Sequence, residues 1–383
     1  MSSVSGAVSM HTTASSLSGT ISAWLASLGN LRTLSWNDAI YGPQGYTLEK
    51  GAGFLRANIE LFLVLNLLYL PICELCKYLA PYPNYNPKKP QEATAGARAF
   101  HAFMDCVCML WNTGLAVFST VGAFFYWRFM WVGMVEQGCT LTALFSDQCA
   151  DGAGGMMTYL NDATLSWWSI VFILSKVVEF GDTWLYCFQK GKDHLFLHWC
   201  VYPFFFRLLK NSAIYTPCCQ HFSHPPPACR SASARRWHHQ VTGVVAFNKV
   251  LSVGRFCFVP VILNMTVHSV MYSYYALMAL QKSAILPKAV NSAIAAVCSA
   301  TAIFITGIQI TQMAIALAAY PFFAVIEPEK GFDMLSFTMY AVYLVYFANL
   351  FVGKYITRTH KAEPKPEPKA VTAAPAKAAN KNE

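Results

Sequence analysis

Apolar residues gather in long blocks along the chain, separated by short polar segments, and most blocks exceed the length of any ordinary strand. Crossing about 30 Å of hydrocarbon takes about 20 apolar residues as a helix. Seven blocks qualify, at 57–79, 104–127, 164–187, 238–254, 257–280, 290–322 and 336–355, the fourth being the shortest. The pattern predicts an all-α, polytopic membrane protein with about seven transmembrane helices in one bundle. It shows no internal repeat.

Seven spans put the termini on opposite sides, and lysine and arginine are retained in the cytosol. The tail carries Lys354, Arg358, Lys361, Lys365, Lys369, Lys377 and Lys381, so a cytosolic C-terminus is expected. Alternation then leaves the loops with Lys88, Lys89 and Arg98, with Lys190 and Lys192, and with Lys282 and Lys288 on the same side. The loops with Glu136, Asp147 and Asp151, and with Glu327, Glu329 and Asp333, fall outside. Three regions are expected: a polar lumenal stretch 1–52, a membrane domain 53–357, and a basic tail 358–383 too low in hydrophobicity to fold.

Composition sharpens this picture. With 55% hydrophobic and 12% charged residues, the chain has too little charge to wet a surface of its size. The net charge of +9 is spread over loops and tail, which suits anionic headgroups and gives no basic patch for nucleic acid. No basic region followed by a short apolar core opens the chain, so insertion is expected to use the first span. The 13 cysteines are odd in number, and Cys106, Cys108, Cys187, Cys257 and Cys298 sit in apolar blocks as small hydrophobes, so no disulfide framework is legible. Cys139 and Cys149 share one polar outer loop, where a disulfide is an open option.

Ionisable groups inside a span are costly and mark surfaces turned to the bundle interior. The third span holds Lys176, Glu179, Asp182 and Thr183, which fall within about 120° of one another on a helix. The fifth carries His268, Met271, Tyr272, Tyr274 and Tyr275; the sixth carries Thr306, Gln309 and Gln312. Taken singly, these are a packing ion pair, a satisfied core histidine, and two amides that bond between helices. Three polar stripes on three spans of one bundle must instead face each other, which makes a buried polar chamber.

The stripes resemble the diagnostic boxes of the ELO family of membrane-bound very-long-chain fatty acid elongases. Lys176 to Thr183 is similar to its KxxExxDT box, His268 to Tyr275 to HxxMYxYY, and Thr306 to Gln312 to TxxQxxQ, in family order. Trp111-Asn112 and the following Leu115 to Ser119 add to a likeness that covers roughly 55–356. The family's HxxHH box is interrupted. His198 has the expected Phe196-Leu197 lead-in, but the histidine pair comes only at His238-His239. Removing Cys200 to Arg236 restores a complete box; removing Val201 to Trp237 does as well. The intervening residues sustain neither period 2 nor period 3.6, and a retained intron of 37 codons is the expected origin. The alternative is a genuine insertion, for which Cys218, Cys219, His221, His224 and Cys229 match no zinc-finger spacing.

The resemblance implies a condensing enzyme that joins an acyl-CoA to malonyl-CoA, with no cofactor and no metal. His198, His238, His239 and His268 are the expected catalytic set, with His238 first among them as a nucleophile toward the thioester. Decarboxylation develops an enolate that needs hydrogen-bond donors, a role open to His268 with Tyr272 or Tyr275. Lys176, Glu179, Asp182, Thr183, Met271, Tyr272, Tyr274, Tyr275, Gln309 and Gln312 are the expected substrate-binding set. Lys176 and the lysines near 190 suit CoA phosphates, and the glutamines suit the chamber wall. The resemblance further implies an endoplasmic reticulum membrane, contact with membrane lipid, and the ketoacyl reductase, hydroxyacyl dehydratase and enoyl reductase of an elongation cycle as partners. Di-iron desaturases and hydroxylases also use HxxHH, but need about eight boxed histidines, more than this chain offers. A receptor or transporter would not predict the boxes in order. A scaffold disabled by its insertion is the remaining alternative.

Overall fold

The structure is a computed structural model, describing residues 35–87, 89–149, 161–191, 229–251, 255–282, 286–330 and 333–357. Every regular element among them is helical. Two short helices, α1 (Trp36–Tyr41) and α2 (Leu48–Ala57), precede α3 (Ile59–Tyr78) and the long α4 (Ala95–Trp131). After a short α5 (Leu141–Ser146), α6 (Ala163–Val178) and α7 (Phe180–Lys190) form one span with a slight break at Glu179. The bundle is completed by α8 (Cys229–Leu251), α9 (Phe258–Lys282), α10 (Lys288–Ile326) and α11 (Met334–Phe351).

Among the described residues, six helices are long and apolar enough to cross a membrane, and they coincide with six of the seven expected spans. The expected fourth span is also a helix, but Arg230, Arg235, Arg236, His238, His239, Gln240, Asn248 and Lys249 make α8 too polar to qualify by composition. Its polarity is spent inside the bundle: Gln240 donates to the Asn66 carbonyl at 3.0 Å, and Thr242 bonds Tyr343 at 3.0 Å. Two expected boundaries shift. The polar N-terminal stretch was expected to reach 52, yet α2 starts at Leu48 and buries Leu48, Ala52 and Leu55. Residues 229–236, expected to be irregular, already belong to α8, because Ser, Ala and Arg cost little when a helix propagates into them.

Helix α9 lies at the centre, packed along α4 on one side and α10 on the other. The α4 contact is close because Gly122 has no side chain; a Cβ there would sit 2.3 Å from the Met265 sulfur. Helix α8 crosses α6, α2, α3 and α11. At the end of the bundle away from Lys190, acids and bases from separate loops pair. Arg255 meets Asp147 at 2.6 Å and donates its backbone N–H to Glu327 at 2.9 Å, and Lys249 meets Asp333 at 2.5 Å. The two loops expected outside therefore lie at one end, joined through Arg255. Cys139 and Cys149 are bonded there, and between them α5 buries Leu144 and packs Phe145 against Phe258 and Phe323.

Asp333 also accepts from the Leu335 and Ser336 N–H groups, capping α11. Partial burial pushes its carboxyl up, but the Lys249 ammonium and Ser336 outweigh this and hold it below the ordinary range. A carboxylate depressed in the folded state stabilises above its unfolded pKa and loses that contribution as pH falls through the folded value. The thermal midpoint in detergent should thus fall on acidification below about pH 4, and Asp333→Asn should show a smaller acid-induced fall than the parent.

Candidate functional site

The site is built where α6, α9 and α8 meet. Lys176, in the last turn of α6, is 2% exposed, and the lone charge of a buried ammonium has to be answered by its neighbours. It donates to Glu179 at 2.6 Å and to the side-chain oxygen of Asn264 at 2.7 Å, and lies 4.3 Å from the centre of the Phe172 ring. Ser175 adds a longer bond to Glu179 at 3.3 Å.

This arrangement fixes the tautomer of His268. An ammonium only donates, so the Asn264 atom facing Lys176 is the oxygen, and the amide nitrogen faces His268 Nε2, 3.1 Å away. That nitrogen then accepts, and the proton of the neutral ring sits on Nδ1. Nδ1 is 3.6 Å from Glu179, beyond hydrogen-bonding range, so this N–H remains free to donate to a substrate oxygen. Asn264 was missed in the sequence, although it stands one helical turn before His268 on the same face; that spacing was the available signal.

A second cluster adjoins the first. Asp182 accepts from the Trp111 indole at 2.6 Å and from the Tyr272 hydroxyl at 2.8 Å. Tyr272 is buried, and its proton is committed to Asp182, so it is not the free donor that was expected of it. Gly181 makes room for Trp111, since a Cβ would stand 2.4 Å from the indole. Gly181→Ala should therefore push Trp111 away from Asp182, costing about 1–3 kcal/mol as overpacking does, read as a lowered thermal midpoint with altered tryptophan fluorescence.

His238 and His239 stand side by side on α8, with ring centres 5.5 Å apart and Tyr343 at 4.6 Å from His238. A narrow cavity of about 40 Å³ begins here, lined by His238, Asn264, Gln312 and Tyr343, and continues past Ala246 to Lys249, Phe256 and Ser336. The Lys249–Asp333 pair lies at that far end.

The expected residues therefore divide. Lys176, Glu179 and His268 meet directly; Asp182 and Tyr272 pair beside them; His238 and Gln312 share the cavity wall. Among the described residues, Gln309 reaches the Met271 sulfur, at 3.3 Å. Thr183 turns the other way, accepting from Tyr69 at 2.9 Å in a separate cluster with Phe180 and Cys187. Tyr275 is 43% exposed and packs against both Tyr272 and Tyr274 at the rim of the Asp182 cluster. The single stripe expected of the third span splits because its four positions spread over 120°, wide enough to meet two neighbouring helices. His198 lies outside the described residues.

A chain of membrane helices around a buried, charged and histidine-bearing chamber with a narrow apolar extension defines a membrane protein with an internal site. The GNS1/SUR4 (ELO) family model matches residues 54–208 and 232–363, and the chain belongs to that family. It is 28% identical over 260 residues to very long chain fatty acid elongase 3 of Mus musculus, covering 65% of this chain and 71% of that one. It is 26% identical to long chain fatty acid elongase 2 of Caenorhabditis elegans, over 66% of this chain and 76% of the other. Against fatty acid elongase 1 of Trypanosoma brucei brucei it is 25% identical over 320 residues, 79% and 84% of the two chains. No solved structure matches the chain.

Proposed function

We infer that the chain is a fatty acid elongase acting at the condensing step, a 3-oxoacyl-CoA synthase of acyltransferase type. It joins an acyl-CoA to malonyl-CoA, giving CO2, CoA and a 3-oxoacyl-CoA two carbons longer. Membership of the family over most of the chain carries this reading. The chamber chemistry suits it.

His238 is the nucleophile: attack of its neutral imidazole on the thioester expels CoA and forms an acyl-imidazole, splitting one hard displacement into two easier ones. Loss of CO2 from malonyl-CoA then supplies the enolate carbon that attacks the acyl group and releases the imidazole. His268 donates from Nδ1 to the enolate oxygen, and Lys176 offers positive charge beside it in a dry site where such charge counts most. Glu179 and Asn264 hold both in place. The acyl chain extends from His238 along the cavity toward Lys249, the methionines Met313 and Met339 moving aside as it enters.

Eleven residues of one helix separate His238 from Lys249, about 16 Å at the helical rise. Ala246 stands about 12 Å along, so Ala246→Phe closes the last few ångströms. Its products should be about two to four carbons shorter, since each chain carbon advances a little less than a 1.5 Å bond. Product lengths from labelled malonyl-CoA, parent against variant, check this.

The unmatched residues 209–231 fall inside the segment between His198 and His238, which supports reading that segment as an insertion into the HxxHH box. The C-terminus faces the cytosol, the membrane is that of the endoplasmic reticulum, and the reductases and dehydratase of the cycle are the partners. Labelled malonyl-CoA supplied to microsomes from elongase-deficient yeast tests the reading. Incorporation into longer acyl chains supports it, and none from a stably inserted protein, with or without Cys200–Arg236, removes it.

A further inference from the structure

A second opening lies at the other end of the bundle, away from the histidines and independent of the condensing chemistry. It is a groove of about 480 Å³ between the end of α4, the π-helical turn that follows it (Val132–Glu136) and the start of α6, with α1 along its rim. Tyr41, Phe125 and Phe129 give it aromatic walls, and Arg128, Gln137 and Asp162 give it polar ones. We propose that this groove binds the headgroup of a zwitterionic phospholipid, with the phosphate on Arg128 and the ammonium group toward Asp162 and the aromatic rings.

Arg128 carries the argument. It stands in the last turn of a long apolar helix, is exposed, and makes no ion pair among the described residues. Trp127 and Trp131, 51% and 59% exposed, flank it, and such tryptophans sit where hydrocarbon gives way to headgroups. A guanidinium at that depth meets phosphate first, and its fork fits two phosphate oxygens. Asp162 selects among lipids. Its carboxylate caps α6, accepting from the Leu165 N–H at 2.8 Å, so it is held in the groove and repels a headgroup that carries only negative charge. An ammonium beside the phosphate satisfies it and gains from the ring faces as well. Tyr41 is anchored for that contact, edge-on to Phe125 at 5.6 Å, with its carbonyl accepting from Thr164 at 2.7 Å.

The test is lipid retention by the full-length protein in detergent, read by native mass spectrometry. Dioleoyl-phosphatidylcholine and -phosphatidylethanolamine are compared with phosphatidylglycerol and diacylglycerol. The zwitterionic lipids should be retained over both others, and Arg128→Gln, an exposed change, should weaken their retention about tenfold, as loss of a charge-assisted bond does. Asp162→Asn keeps a good helix cap and should raise phosphatidylglycerol relative to phosphatidylcholine. Equal retention of diacylglycerol, preference for phosphatidylglycerol in the parent, or no change with Arg128→Gln overturns the proposal.

Discussion

Glu179→Gln should destabilise the protein by about 3–5 kcal/mol, the usual cost of leaving one member of a buried ion pair without its counter-charge. Lys176 and Glu179 are 2% and 5% exposed and 2.6 Å apart, so little water can replace the lost carboxylate. Asn264 would still accept from Lys176, but a neutral amide does not balance a charge. The measurement is chemical unfolding in detergent. Removing both charges at once, as in Lys176→Met with Glu179→Leu, should cost less than the single change, because no buried charge is then left alone. That double variant should nevertheless condense nothing, and this separates the structural role of the pair from its role in the site. A double variant less stable than Glu179→Gln would contradict the account.

The largest effect on activity is expected at His238. His238→Ala should lower condensation by about a thousandfold or more, in line with losses on removing a nucleophile, while stability changes little. His238 is only part-buried on a helix whose other contacts remain. The check is single-turnover incubation with labelled acyl-CoA alone. The parent should release one equivalent of CoA and hold the acyl group in a hydroxylamine-sensitive form, and His238→Ala should do neither. His239→Ala, by contrast, should still acylate.

Much of this arrangement was legible in the sequence, and what escaped it has physical causes. Length and hydropathy are enough to find a span, because lipid tolerates only saturated backbone and apolar side chains over some twenty residues; six spans fell out that way. Helix α8 is harder to read, since it hides Gln240, Thr242 and Lys249 against partners distant in sequence, and no local pattern records those partners. The polar stripes pointed to a shared chamber, and Lys176, Glu179 and His268 do come together. Helical spacing alone could not tell which neighbour each side chain faces: Thr183 answers Tyr69 on α3, and Asp182 answers Trp111 and Tyr272. Asn264 escaped because a lone asparagine in a span has an ordinary packing explanation, and only its two bonds at once reveal that it sets the His268 tautomer.

The central claim is that this chamber condenses acyl-CoA with malonyl-CoA. The most direct measurement is 3-oxoacyl-CoA formation by the purified protein in lipid nanodiscs, given acyl-CoA and labelled malonyl-CoA, for the full chain and for one lacking Cys200–Arg236. The account predicts 3-oxoacyl-CoA and CO2 in equal amounts from the shortened chain, abolished by His238→Ala. A shortened chain that is folded and monodisperse yet forms no 3-oxoacyl-CoA from any primer would contradict it.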